Sequence, residues 1–321
     1  MIYLSFLNAL SPIIGFFLYL NILVKKLLFN RNDILICPFL MCIFIYHLLF
    51  SHIEFIFSFR FYFGFILFYL LFRKYKLYNF NIVFIIVTVF IWIEFLLINT
   101  VISPELLPNY PNLSASSHHS TNVIFNRPYS FGCNASVSSS LFVVIFYLTS
   151  DKFKNFLTHL LFIITISIFM SGTGMICLAI FYFSKFLTLF FILLFSIPLI
   201  YYINQISFFH KISYEYLAIL LDYKLYQLSM IFENYVFLSF LFGDIDGISL
   251  EAYGSDFGWP IFVSCYGIIG LFIVLSIIFY NINKSNFLPI FILLISTFHY
   301  PTIFFFSGQV FLGYLLNYKR H

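Results

Sequence analysis

The sequence predicts an all-α polytopic membrane protein: about 11 transmembrane helices in one integral domain over residues 1–321, with two large loops on the outer face. Three observations predict it. Of the residues, 62% are hydrophobic and only 9% charged; apolar runs of membrane-crossing length recur; and Lys and Arg collect in alternate connections. Soluble domains carry about 25% charged residues, so a globular cytosolic enzyme is excluded. At about 150 residues per domain the length suggests two domains, yet no segment is polar enough to be one. The 50 Phe and 24 Tyr supply bulk for lipid contact and say little about chemistry.

A helix crosses ~30 Å of hydrocarbon in about 20 residues, and eleven runs approach that length. The first, roughly 2 to 23, has no basic residue before it, and Lys25 and Lys26 follow it. That order is unlike a cleaved signal peptide and predicts an outer N-terminus. Runs of roughly 34 to 51 and 54 to 72 come next, the second closing on Arg73, Lys74 and Lys76. The run from 80 to 98 leads into the first long loop, about 99 to 135. Beyond it, 136 to 150, 155 to 170, 173 to 184 and 186 to 203 are joined by short connections holding Lys152, Lys154, Ser171-Gly172-Thr173-Gly174 and Lys185. The second long loop, about 204 to 257, precedes 258 to 280, 286 to 299 and 302 to 317, the last two parted at His299-Tyr300-Pro301.

With the N-terminus outside, twelve of the 16 Lys and Arg fall inside, where short cytoplasmic loops retain them. Only Asp33 and Asp151 of the acidic residues join them. The exceptions are Arg60, Arg127, Lys211 and Lys224, so the net charge of +4 conceals a strong asymmetry across the membrane. Both long loops are outer, and long loops in compact proteins tend to be functional or disordered. The first holds Pro104, Pro108 and Pro111, a Ser/His stretch and then Arg127-Pro128-Tyr129-Ser130-Phe131-Gly132. In the second, from Ser213 to Phe240, Glu215, Ala218, Asp222, Tyr226, Ser229 and Glu233 recur at intervals of three and four. One polar stripe on an apolar helix suits a helix lying in the interface.

Arg127 stands where the first outer loop returns to the membrane. A guanidinium holds two phosphate oxygens in a fixed fork, so it is either an anchor for a lipid phosphate or a snorkelling interfacial residue. Arg60 lies inside the third run, about 9 Å from its outer end at 1.5 Å per residue, and Glu94 in the antiparallel fourth is at comparable depth. An ion pair between them is the more economical account. Lys211 and Glu215, four apart, suit a solvated helix pair as well as phosphate binding. Gly243-Asp244-Ile245-Asp246-Gly247 places two carboxylates two apart, as a shared divalent cation would require, but lacks the other ligands of a calcium loop. Ser171 to Gly174 is too short for a phosphate loop and has no following Lys; it suits a tight turn between closely packed helices. His118-His119 lacks further ligands at metal spacing and His299 stands at a helix break, so all three suit loop or cap positions; Cys37, Cys42, Cys133, Cys177 and Cys265 have neither zinc-site nor thioredoxin-like spacing.

Many spans, two large outer loops, an arginine ending the first and Gly267-Ile268-Ile269-Gly270 after the second together resemble the O-antigen polymerase (Wzy) and O-antigen ligase superfamily of bacterial inner-membrane glycosyltransferases. The resemblance covers mainly residues 125 to 185 and 237 to 275. Arg127 with Gly132, Asn134 and Ala135 looks like the segment that returns to the membrane in the family, and Ser171 to Gly174 like its small-residue turn, although many members carry an arginine there. Ligases place a histidine and a polar residue ahead of Gly-x-x-Gly; here Asp256 and Phe257 occupy those positions. The missing histidine favours polymerase over ligase.

The resemblance implies polymerisation, on the periplasmic face, of oligosaccharide repeat units linked to undecaprenyl pyrophosphate, in O-antigen or capsule synthesis. The implied partners are that lipid-linked glycan, the bilayer and a chain-length regulator protein, with no nucleic acid, cofactor or metal. Cations must hold the departing pyrophosphate, and a base must take the acceptor's proton. The resemblance gives the first task to Arg127, then Lys211 and Lys224, and the second to Asp256, with Glu251, Asp244 and Asp246 as alternates. An acid favoured by the dipole at a helix start is an equal reading of Asp256. The rivals are a ligase, a membrane acetyltransferase and a flippase of lipid-linked oligosaccharide. Paired halves would mark a flippase, and no half-to-half symmetry is visible.

Overall fold

A computed structural model describes residues 31–51, 55–73, 75, 79–100, 127–132, 134–185, 222, 225, 226, 229, 237–246 and 257–319. Among them every regular element is helical and none is a strand. The expected runs at 2 to 23 and 186 to 203, and nearly all of the expected amphipathic helix, lie outside the described residues. The chain divides into two compact units, one covering Tyr78–Tyr223 and the other Ile2–Leu77 with Lys224–His321.

The described helices are α1 (Arg31–Phe50), α2 (Phe55–Phe63), α3 (Phe65–Phe72), α4 (Phe80–Thr100), α5 (Ala135–Leu148), α6 (Phe156–Ile168), α7 (Gly172–Lys185), α8 (Phe237–Phe242), α9 (Gly258–Tyr280), α10 (Phe287–His299) and α11 (Phe306–Leu315). Among the described residues two of them, α4 and α9, are long and apolar enough to cross a membrane by length and composition. Gly64, with helical φ −59 and ψ −26, joins α2 to α3, and a turn over residues 302–305 delays α11 until Phe306.

In the first unit α5 is buried along its whole length. Its small residues make that possible. A Cβ on Gly174 of α7 would overlap Ser139 Oγ, so the two helices meet at closest approach where both side chains are least. The turn ahead of α7 is the tight connection that the small-residue tetrapeptide predicts: Met170 has φ 47, and Ser171 Oγ donates to Ser136 Oγ at 2.9 Å. Below this polar layer the packing becomes aromatic, with Phe84 stacked on Phe142 at 5.1 Å and Phe146 on Phe162 at 4.0 Å. The opposite end of α5 is capped by Lys154, whose Nζ donates to the carbonyls of Tyr147 (3.0 Å) and Thr149 (2.8 Å). A lysine there answers carbonyls that have no helical donor and the negative end of the dipole.

In the second unit α11 lies against α3 so closely that a Cβ on Gly313 would come within 2.6 Å of the Tyr69 nitrogen. At the α2–α3 junction, buried Gln309 of α11 donates to the backbone carbonyl of Phe61 at 2.7 Å. At the end of the unit that holds Tyr69, Asn281 accepts from Tyr69 Oη (3.0 Å), while Asn286 donates to the carbonyls of Asn281 (2.9 Å) and Leu315 (2.8 Å). Helix α9 is not continuous: Gly267 takes φ 64, ψ −170 in its interior.

Candidate functional site

Of the residues singled out for function, the structure describes Arg127, Asp244 and Asp246; Lys211, Lys224, Glu251 and Asp256 lie outside the described residues. Arg127 belongs to the first unit and the two aspartates to the second.

Arg127 is half-buried and opens a short ordered segment that leads into α5. Pro128 fixes its own φ and biases the residue before it toward extended backbone. The next two N–H groups, of Tyr129 and Ser130, donate to the carboxylate of Glu94 on α4, at 2.8 Å to Oε1 and 3.0 Å to Oε2. Glu94, matched by depth with Arg60 in the sequence, thus secures the chain immediately after Arg127. Ser130 takes φ 52 at the start of a 3₁₀ turn, Ser130–Gly132. A non-glycine residue in that region costs energy and persists only where its surroundings over-determine it. Here Ser138 does so from inside α5: its hydroxyl donates to the Tyr129 carbonyl and accepts from Gly132 N–H at 2.8 Å. Asn134 caps α5, its Oδ1 accepting from Ser136 N–H at 2.8 Å and Val137 N–H at 3.4 Å. The result is a cation directly ahead of a backbone segment held by Glu94 and Ser138, which leads into α5 with its buried Ser136, Ser138 and Ser139.

In the second unit, the exposed Asp244 and Asp246 sit on the turn that ends α8. Gly243 has φ 82, and a Cβ there would overlap the Cys265 carbonyl. Gly267 meets the same joint from the other side, where a Cβ would overlap the Leu241 carbonyl. The second glycine fits because its conformation interrupts α9: carbonyls one turn before such a kink lose their i+4 donor, and Ser264 O accepts Asp244 N–H at 2.8 Å instead. The first glycine of the Gly-x-x-Gly pattern is therefore a docking notch for α8. Among the described residues no group of three or more His, Cys, Asp or Glu is placed to hold a metal ion.

Sequence reading missed His47. It is fully buried on α1, with Nε2 3.0 Å from the Phe242 carbonyl and Nδ1 3.0 Å from Ser51 Oγ. A carbonyl only accepts, so Nε2 carries the proton. Its neighbour Tyr46 stacks on Phe242 (4.6 Å, 19°). The available signal was an ionisable residue inside an apolar run. His299, by contrast, is the last residue of α10, with its ring against the C-cap residue Tyr300. Arg60 is half-buried on α2, and its carbonyl accepts from Gln309 Nε2 at 3.4 Å.

No family model matches the chain, and neither a curated protein nor a solved structure matches it.

Proposed function

We propose that the chain is a multi-pass glycosyltransferase of the bacterial inner membrane. In this reading about eleven helices cross the bilayer, the N-terminus is periplasmic, and the protein polymerises undecaprenyl-pyrophosphate-linked repeat units on the periplasmic face. The membrane reading is supported by α4, in which only 22% of the most apolar window is buried; Phe90 there is 64% exposed. An apolar helix turned outward in this way is at home in hydrocarbon and a liability in water.

The observation that carries the polymerase reading is the support given to Arg127. A snorkelling arginine needs no fixed backbone, whereas one that must present its fork to a phosphate gains from being held. The Glu94 and Ser138 contacts and the Asn134 cap provide that hold. In the reaction the acceptor hydroxyl oxygen attacks the anomeric carbon of the donor glycan, and the bond from that carbon to the pyrophosphate oxygen breaks. Undecaprenyl pyrophosphate departs with the electron pair, its charge held by Arg127 with Lys211 and Lys224. The hydroxyl proton passes to an outer-loop carboxylate, Asp256 first among them, with Glu251, Asp244 and Asp246 as alternates.

Deleting the gene and examining surface glycan tests this. Loss of a polymerase leaves single repeat units attached; loss of a ligase leaves lipid-linked chains unattached; loss of a flippase traps units on the cytosolic leaflet. Long chains surviving the deletion would end the polymerase reading. Arg127→Ala is expected to abolish chain extension while the protein stays in the membrane, and normal chain lengths in that variant would remove Arg127 from the site.

A further inference from the structure

We infer that His47 is a positioning residue of the acceptor side of this reaction: it clamps the end of α8 so that Asp244, on the turn that follows, is held ready to take the acceptor's proton. The inference rests on the polymerase reading and deepens it, because it gives one of that reading's alternate carboxylates, Asp244, a structural support of its own. Three contacts fix it. Asp244 N–H is bound to the Ser264 carbonyl at 2.8 Å, Gly243 N–H to the Ser239 carbonyl at 2.8 Å, and the Phe242 carbonyl to His47 Nε2 at 3.0 Å. The last comes from a separate helix, so it ties the turn to α1.

The clamp is itself rigid. His47 meets the ring of Tyr266 edge-on at 5.1 Å, and Tyr266 Oη donates to Ser58 Oγ of α2 at 2.9 Å. Both rings are fully buried. A helix of only six residues has too few internal hydrogen bonds to hold its own end; packing and outside donors must do so. Here the donor is an imidazole N–H, the packing is Tyr46 on one side and the Gly267 notch on the other, and the product is an exposed carboxylate on a fixed backbone. A base on such a backbone loses less entropy on meeting its substrate, which favours proton transfer. During transfer the Asp244 carboxylate gains the hydroxyl proton and passes it to solvent after the pyrophosphate has left; His47 keeps its own proton on Nε2 throughout.

The test uses the full-length protein in membranes supplied with undecaprenyl-pyrophosphate-linked repeat units, together with amide hydrogen exchange on the purified protein. His47→Phe keeps the ring and its packing but removes the donor. It is expected to lower kcat by about 10- to 100-fold with KM unchanged, and to speed exchange at Gly243 and Asp244. His47→Gln restores an N–H donor and is expected to recover most of both. Asp244→Asn is expected to lower kcat by about 100-fold or more without changing exchange. A His47→Phe protein of wild-type kcat overturns the inference, and so does a His47→Gln protein as slow as His47→Phe, or an active Asp244→Asn. Absence of extension by the wild-type protein overturns the polymerase reading itself and the inference with it, whatever the exchange rates.

Discussion

Replacing Gly267 by Ala tests the α8–α9 joint most directly. Its backbone, φ 64 and ψ −170, lies in a region that is essentially glycine-only. Holding alanine there costs about 1–3 kcal/mol. The new Cβ would also overlap the Leu241 carbonyl and stand 2.6 Å from Phe242 N. Because those atoms are backbone, α8 as a whole must shift, an overpacking cost of about 1–3 kcal/mol. If the Asp244 N–H bond to Ser264 O breaks with the shift, about 1 kcal/mol more is lost. A total of about 3 kcal/mol is a conservative sum; at about 2–4 °C per kcal/mol for a chain of this order of size, thermal melting of the detergent-solubilised protein should fall by about 6 to 12 °C. Gly243→Ala attacks the same joint, with its Cβ driven into the Cys265 carbonyl, so the double variant should be less destabilised than the two singles together. Gly172→Ala is the control: nothing lies within 4 Å of its Cβ, and its effect should stay within about 0.5 kcal/mol. A Gly267→Ala protein melting within a degree of wild type, or strict additivity with Gly243→Ala, would refute the docking argument.

Two further substitutions separate buried from exposed contributions. Glu94→Ala leaves the N–H groups of Tyr129 and Ser130 without that acceptor, in residues only 2% and 3% exposed; it should cost about 2–5 kcal/mol. Glu94→Gln, which keeps one carbonyl oxygen, should cost visibly less in the same melting assay. At the other end of α5, Lys154→Met removes two carbonyl contacts made by a side chain only 7% exposed, a loss of about 1–3 kcal/mol. Its 3.6 Å pairing with Asp151 involves a carboxylate that is 66% exposed, so Asp151→Asn should be within about 0.5 kcal/mol of wild type.

Helix positions were readable because hydrophobic runs and their punctuation are local. The expected run 258 to 280 coincides with α9, and the break at His299-Tyr300-Pro301 falls at the end of α10. Interruptions carried by one glycine were not readable. Gly267 sits in an unbroken apolar run, and what makes it a break is a partner distant in sequence, α8. An apolar run states that a helix is affordable at a position, but whether it is straight depends on what docks against it.

The candidate site divides along the same line. Arg127 stood out because a cation on the outer face breaks the charge asymmetry of the chain, and that asymmetry is a property of the sequence. Its support did not stand out: the Glu94 carboxylate accepts from the Tyr129 and Ser130 backbone, and backbone donors leave no trace in residue types. His47 is the sharper case. Its run from 34 to 51 contains no other ionisable side chain except Cys37, Cys42 and Tyr46, so its position alone should have marked it. A buried imidazole is tolerated only where both nitrogens find partners, and one of those partners, the Phe242 carbonyl, is 195 residues away. The residue was visible in the sequence and its task was not, because that task is to bind a carbonyl that only a short helix end leaves unsatisfied.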